Sequence, residues 1–324
     1  MSMTTEQATW FADTYGKIAD NLGQALLGKQ EVIRLVLMAM FAEGHVLLED
    51  APGTGKTSLA RALAATVDGT NSRIQFTPDL LPSDVTGVTI WDEHARKFEF
   101  HKGPIFASIV LADEINRASP KTQSALLEVM EESRVTIDGV TYEAGRPFLV
   151  IATQNPIEQA GTYRLPEAQL DRFLLKTSIG YPDLASTAEI LGGASVRNSA
   201  SKLQAVITTK AVADMADLAS TTYVDPAVLR YIAQLTEDTR TAPEVRVGVS
   251  VRGALSMVRA AKVWAAAQGR NFVAPEDIKQ LSIPVWQHRL VLDAEAEFGG
   301  VTAESIIGRV LADVAAPQAR AQVA

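Results

Sequence analysis

The sequence predicts an α/β fold in which a parallel sheet flanked by helices is followed by an all-helical domain. Short apolar runs alternate with helix-like segments up to Gly180, and one of them leads directly into a phosphate-loop pattern at residues 50–57. Beyond Gly180 the periodicity is almost entirely helical. We therefore expect three parts, which are a helical N-terminal segment 1–27, an α/β core 28–183 and a helical domain 184–324.

Apolar runs predict five strands of the parallel sheet, at 45–49, 74–76, 108–112, 148–153 and 174–179. Helical spacing predicts that the first 43 residues are helical up to Gly44, and it predicts the intervening helices at 56–67, 120–132 and 166–173. Two hairpins interrupt the alternation, at 88–100 and 134–142, and Asp138-Gly139 is a strong two-residue turn signal in the second. The helical domain is predicted to contain helices at 210–219, 225–239, 250–268, 275–290 and 302–314.

Composition excludes several classes of protein. The chain has 324 residues, with 30 Lys and Arg against 38 Asp and Glu, so its formal net charge is −8. This balance disfavours a duplex-binding surface, and nucleic acid is not the expected partner. The absence of Cys removes disulfides, thiolate metal sites and Cys nucleophiles. No secretory leader begins the chain and the most apolar run, 32–42, is too short to cross a bilayer, so we expect a cytoplasmic protein.

The sharpest motif runs from Asp50 to Thr57 and lies between a predicted strand and a predicted helix, as a phosphate loop requires. Its glycines allow backbone N–H groups to face a phosphate at a helix N-terminus. Lys56 is expected to bridge the β- and γ-phosphates of ATP, and the Thr57 hydroxyl to bind Mg²⁺. Asp50 stands where the pattern has its first glycine. The candidate ATP-binding residues are Ala51, Pro52, Gly53, Thr54, Gly55, Lys56, Thr57 and Ser58.

A second motif places two adjacent carboxylates, Asp113 and Glu114, at the end of an apolar strand. Ligands of open α/β sheets bind at this edge. Asp113 is expected to hold Mg²⁺, directly or through water, and Glu114 to orient and polarise the attacking water. This pairing suits metal-assisted hydrolysis of a phosphoanhydride.

Three further candidates have ordinary structural explanations beside functional ones. Asn155 follows a predicted strand and is positioned to reach the attacking water or the γ-phosphate, but Asn-Pro is also a common turn pair. Arg172 either acts on the γ-phosphate of a neighbouring subunit or only complements a helix end. Arg252 lies at a helix start, where cations are disfavoured, so its position suggests an anionic partner.

Taken together, these motifs resemble the MoxR family of AAA+ ATPases. The matching segments are GKQEVI at 28–33, HVLLEDAPGTGKT at 45–57, LADEINRASPKTQSALLEVMEE at 111–132, IATQNPIEQAGTY at 151–163 and LPEAQLDRF at 165–173. The resemblance covers most of residues 28–180, and the helical remainder is similar to the family's lid. The long string that contains Asp113 and Glu114 is specific to this family.

The resemblance implies roles for the candidate residues. Lys56 and Thr57 match the Walker A motif, and Asp113 and Glu114 match Walker B. Asn155 matches sensor 1, Arg172 the arginine finger and Arg252 the sensor 2 arginine of the lid, although the family string G-A-S-P-R-A is GVSVRG here. ATP is expected between core and lid, with Arg172 supplied by the next subunit.

The resemblance also implies assembly and partners. It implies a homo-hexameric ring that acts on a client protein, with a von Willebrand factor A domain protein as the expected client. A chaperone-like role in maturation or metal insertion follows from the same resemblance. The alternatives are a DNA-remodelling motor on the same core, which the acidic balance disfavours, and a nucleotide-dependent scaffold without hydrolysis, which Glu114 disfavours.

Overall fold

The structure is a computed structural model, and it describes residues 2–51, 53–155, 163, 165–192 and 203–317. In chain order, the first part contains α1 (Thr5–Gly23), α2 (Gln30–Phe41), β1 (Val46–Glu49), α3 (Lys56–Thr66), β2 (Asn71–Gln75), α4 (Pro82–Thr86), β3 (Gly87–Asp92), β4 (Lys97–Lys102), β5 (Ile109–Asp113), α5 (Pro120–Glu132), β6 (Arg134–Ile137), β7 (Val140–Glu143), β8 (Leu149–Gln154), α6 (Glu167–Leu170) and β9 (Leu175–Thr177). The second part contains α7 (Leu184–Leu191), α8 (Thr209–Ser220), α9 (Pro226–Thr241), β10 (Val245–Val247), α10 (Val251–Ala267), α11 (Pro275–Trp286), β11 (Val291–Leu292), α12 (Ala294–Phe298) and α13 (Ala303–Asp313).

Five parallel strands form the central sheet in the order β2-β5-β8-β1-β9. Successive side chains of β5 enter two different apolar clusters, because neighbouring residues of a strand point to opposite faces. Ile109 and Leu111 join the cluster that contains α1, α2 and the helices of the second part. Val110 and Ala112 join the cluster that contains α5. The sheet is therefore covered on both faces, as the continuous apolar runs predicted.

The N-terminal helix α1 packs against α2 and α3 and also against α10 of the second part. Phe11, Ile18 and Leu22 of α1 are fully buried in the shared cluster. A capping box at Thr4 and Gln7 fixes the start of the helix. The predicted segment 1–27 thus packs on both larger parts, and its bounds as a separate domain stay a prediction.

The predicted alternation is confirmed, with local differences. The second sheet strand is Asn71–Gln75 and so begins earlier than predicted, because its exposed polar residues break the apolar run. The helical part contains a small antiparallel pair, β10 with β11, which the helical periodicity did not indicate. The short helices α4 and α12 were also not predicted. Among the described residues, no helix is long and apolar enough to cross a membrane.

Candidate functional site

The loop after β1 has the backbone of a phosphate-binding turn. Gly53 and Gly55 have φ values of +86° and +98°, a region that side chains with a Cβ rarely adopt. The second of these glycines is the N-cap of α3, so the helix begins at Lys56 with its N–H groups directed at the loop. The Lys56 ammonium lies 3.1 Å from the Ala51 carbonyl oxygen and 3.3 Å from that of Asp50. Its charge is therefore held across the mouth of the loop.

The structure gives Asp50, the departure from the phosphate-loop pattern, a physical role. Its buried carboxylate accepts hydrogen bonds from the backbone N–H groups of Ile179 and Gly180, at 2.6 and 2.9 Å. These amides follow β9, just before the chain enters the second part. Asp50 therefore ties the start of the phosphate loop to the connection between the two parts of the molecule.

The two candidate acids share one buried partner, Thr153 at the end of β8. Its hydroxyl donates to Asp113 Oδ1 at 2.7 Å and accepts the backbone N–H of Glu114 at 2.9 Å. Glu114 has a φ of +58°, an uncommon value for a residue with a side chain. Such strained backbone concentrates at functional sites. The sequence predicted the acids but did not single out the threonine that connects them.

Strand β2 supplies two further groups that sequence reasoning missed. Arg73 lies 2.6 Å from Asp113 Oδ2, and the Gln75 amide donates to Glu114 Oε2 at 2.8 Å. Arg117 makes a second contact with that same carboxylate oxygen, at 2.8 Å. In the sequence, these residues are only a pair of polar side chains near the end of a strand. The pairing of β2 with β5 is what places them beside the two acids.

The loop glycines, Lys56 and the two acids line one pocket of about 390 Å³, here called the phosphate pocket, whereas the predicted ATP-binding residue Ala51 is not among its described lining residues. Its described lining residues are Asp50, Gly53, Thr54, Gly55, Lys56, Thr57, Ser58, Arg73, Asp113, Glu114, Thr153 and Asn155. A hydroxyl and a carboxylate, from Thr57 and Asp113, face the same space, and such oxygen ligands suit Mg²⁺. The residues present therefore fit the metal. Pro52, also predicted to bind ATP, lies outside the described residues.

Arg172 and Arg252 lie elsewhere, in a cleft of about 910 Å³ between the core and the helical part, here called the arginine cleft. Its described lining includes Arg146, Arg172, Arg252 and Arg259. Glu131, near the end of α5, pairs with two of these guanidinium groups: it lies 3.0 Å from Arg172 and also contacts Arg252. The two predicted arginines are thus brought together with each other, while the described lining of the phosphate pocket comes only from the core.

His45, which directly precedes β1, is among the residues that line the arginine cleft. Its Nδ1 accepts the Val150 N–H at 3.1 Å, and its Nε2 donates to the Met130 carbonyl at 2.9 Å. Burial lowers the pKa of His45 from 6.5 to about 4, so the ring is neutral. The residue therefore joins β1, β8 and the end of α5 through a single neutral imidazole.

Two family models match the chain. The model described as the ATPase family associated with various cellular activities (AAA) covers residues 45–175, and the AAA lid domain covers residues 237–310. The first match contains the phosphate loop, Asp113, Glu114 and Arg172. The second contains Arg252.

Similar proteins match over nearly the whole length. The Bacillus subtilis protein YeaC is 45% identical over 95% of this chain and 96% of its own. Chaperone MoxR1 of Mycobacterium tuberculosis is 40% identical over 91% of this chain and 80% of its own, and protein MoxR of Paracoccus denitrificans is 32% identical over 85% and 88%. A crystal structure from Cytophaga hutchinsonii superposes with a TM-score of 0.90 at 38% identity, covering 97% of this chain and 98% of that one. The chain therefore belongs to the MoxR family of AAA+ ATPases.

Proposed function

We propose that the protein hydrolyses ATP in a Mg²⁺-dependent reaction at a site shared between neighbouring copies of the chain. The observation that carries this proposal is the single pocket that holds the phosphate loop and both strand-end acids. A pocket that only bound nucleotide would not need a second carboxylate held beside the metal position. ATP and Mg²⁺ are the ligands proposed.

The residues of the phosphate pocket divide the chemistry among them. The loop amides and Lys56 bind the β- and γ-phosphates, and Thr57 and Asp113 hold the metal. When bound, Mg²⁺ supplies positive charge that neutralises the phosphates in the transition state. Glu114 orients the attacking water, with its carboxylate fixed by Gln75 and Arg117. Asn155 lines the same pocket and is proposed to contact the water or the γ-phosphate.

The arginines lead to the second half of the proposal. Arg172 and Arg252 pair with one carboxylate in a cleft that is separate from the phosphate pocket. We propose that both reach the γ-phosphate held by the next copy in a homo-hexameric ring. For Arg252 this replaces the expectation that ATP lies between the core and the lid of one chain, because Arg252 is not among the described residues that line the phosphate pocket. A cation supplied in trans stabilises the charge that develops during phosphoryl transfer, and the reaction then depends on assembly.

The client is proposed from relatives and not from the site itself. One similar protein is named a chaperone. We propose a chaperone-like action in the cytoplasm on a protein client, with a von Willebrand factor A domain protein and metal insertion as the working case. Glu114→Gln protein loaded with ATP is the form to use in capture experiments, because it is expected to hold the client without releasing it.

The decisive experiment compares Glu114→Gln with Glu128→Gln, an exposed glutamate of α5. The first variant is expected to bind Mg·ATP with little change while turnover falls about 10²- to 10⁴-fold. The second is expected to match the unaltered protein in both measurements. Calorimetry measures binding and phosphate release measures turnover. Equal turnover in the two variants would show that Glu114 does not orient the attacking water.

A further inference from the structure

Asp171, which directly precedes Arg172, lies where the core contacts the helical part. Its contacts with Ser250 and Arg289 form what is here called the joint. Its Oδ2 accepts the Ser250 hydroxyl at 2.8 Å, and its Oδ1 lies 2.8 Å from Arg289 Nε. Ser250 is the N-cap of α10, two residues before Arg252. One carboxylate therefore joins the backbone that carries one arginine to the backbone that carries the other.

Arg289 is the buried half of this joint. Its side chain is 1% exposed, and its guanidinium donates to the Phe173 carbonyl at 2.7 Å and to Ser256 Oγ at 3.2 Å. It therefore contacts both the segment after Arg172 and the helix that carries Arg252. Separating Arg289 from Asp171 would leave a buried guanidinium without its carboxylate, which is strongly unfavourable. The contact between the two residues is therefore favoured.

Gly253 shows how closely the two parts approach. A Cβ built at this position would lie 2.8 Å from Arg289 Cδ and 2.9 Å from its Nε. Only a glycine beside Arg252 leaves room for Arg289 against the first turn of α10. The string GVSVRG, which departs from the family pattern, thus matches the packing of this joint.

The side chains of the two arginines are joined as well. Glu131 contacts both guanidinium groups in the arginine cleft. Arg172 and Arg252 are thus connected twice, once through Asp171 at their backbones and once through Glu131 at their tips. A shift of either backbone segment would strain the connection through Asp171, and a movement of either guanidinium group would break its contact with Glu131.

We propose that Asp171 is the positioning residue that joins Arg172 and Arg252 into one anion-binding unit, which is offered to the γ-phosphate held by a neighbouring copy of the chain. This inference rests on the function proposed above. Asp171 acts through the arginines and does not touch the phosphate. Because small displacements of a positioned group reduce rates by up to about 10²-fold, the joint sets the rate of hydrolysis in the adjacent site.

The test uses two kinds of full-length protomer. The arginine donor carries Lys56→Ala and offers its arginines but cannot hold ATP productively. The acceptor carries Arg172→Ala and Arg252→Ala and keeps its phosphate pocket. Mixing them is expected to restore turnover only where a donor's arginines meet an acceptor's pocket. If this donor and acceptor, with the joint still intact in both, show no restored turnover when mixed, the proposed site in trans is wrong. The positioning role of Asp171 then fails with it.

Ser250 of the joint is then substituted either in the donor or in the acceptor, but not in both. Ser250→Asp keeps an N-cap acceptor but places a carboxylate against Asp171, whereas Ser250→Asn keeps an acceptor and provides a donor. In the donor, Ser250→Asp is expected to lower the restored turnover about 10- to 100-fold, and Ser250→Asn to retain most of it. In the acceptor, neither change is expected to matter.

A role limited to folding gives a different pattern. General destabilisation would reduce turnover whichever protomer carried Ser250→Asp, and that result would overturn the proposal. Equal turnover with Ser250→Asp and Ser250→Asn in the donor would overturn it too. Asp171→Ala in the donor is the direct variant, accepted only if its melting temperature shows a folded protein. Full restoration with that folded variant would also exclude the positioning role.

Discussion

The phosphate pocket and the arginine cleft are built in different ways. The pocket is made of loop glycines and residues at or near strand ends, all from the core, and its acids are connected by one buried threonine. The cleft lies between core and helical part, and its lining includes long charged side chains, of which Arg172 and Arg252 pair with Glu131. The pocket is thus fixed by the sheet, whereas the cleft depends on how the two parts of the molecule pack.

In the proposed reaction, this difference separates phosphate binding from charge stabilisation. The pocket holds Lys56 and the acids proposed for binding and water activation. The cleft holds Arg172 and Arg252, paired with a carboxylate of their own subunit. Such a division suits a reaction that proceeds only when two copies meet. The following predictions test this division, from the largest expected effect to the smallest.

Removing Arg172 is expected to have the largest effect. Arg172→Ala should lower kcat about 10³- to 10⁵-fold, because an arginine finger contributes about that factor. Mixing it with Lys56→Ala protein should recover part of the lost phosphate release. Arg134→Ala, which removes an exposed arginine that pairs with Glu132, is the control and should leave turnover unchanged. Recovery that never exceeds the sum of the separate proteins, with assembly intact, would contradict the division.

Acid is expected to lower the free energy of unfolding, because His45 in the lining of the arginine cleft is buried and neutral. The folded protein keeps His45 neutral down to about pH 4, whereas the unfolded chain takes up its proton below about pH 6.5. Stability from this residue is therefore complete above pH 6.5 and lost as the pH falls toward 4, by about 3 kcal/mol. Burial also lowers the pKa of His288, whose contribution has the same sign.

Denaturant unfolding at several pH values measures this effect. His45→Gln should be less stable at neutral pH but should show a shallower loss between pH 6.5 and 4 than the unaltered protein. Part of the pH dependence of stability should remain in this variant, because burial also lowers the pKa of His288. Identical slopes in the two proteins would show that His45 does not contribute.

Asp50 tests the attachment of the phosphate pocket to the rest of the chain. Asp50→Asn leaves one acceptor oxygen for two backbone N–H groups and places an NH₂ donor against the other, so it should lower the free energy of unfolding by about 2 kcal/mol. We also expect weaker Mg·ATP binding by calorimetry, because the loop start is no longer fixed. Asp20→Asn changes an exposed aspartate of α1 and should have neither effect. Unchanged binding and stability would show that the two amide contacts are dispensable.

Thr153 gives the smallest predicted effect and tests whether the acids work as a pair. Thr153→Val keeps the shape but removes the hydroxyl that connects Asp113 to the Glu114 backbone. Turnover should fall about 10-fold, a loss in the range of one buried hydrogen bond, while ATP affinity changes little. Thr153→Ser restores the hydroxyl and should restore most of the rate. A valine variant with full turnover would show that the connection has no part in catalysis.

The two regions also differ in how far the sequence could predict them. The phosphate loop and the strand-end acids follow from local patterns, because each is a run of adjacent residues whose geometry is set by one strand and one turn. Arg73, Gln75 and Thr153 were missed because their roles depend on which strands are neighbours. The sheet order decides this, and no short segment contains it.

The amino-acid sequence alone determined the α/β core, the helical remainder and the loop residues proposed to bind phosphate, since apolar periodicity and glycine positions act over a few residues. The packing of distant segments decided the rest. It placed Arg172 and Arg252 in one cleft, put Asp50 against the amides after β9 and buried Arg289 at the joint. These contacts join residues separated by many positions in the chain, so only the folded structure brings their charges within a few ångströms.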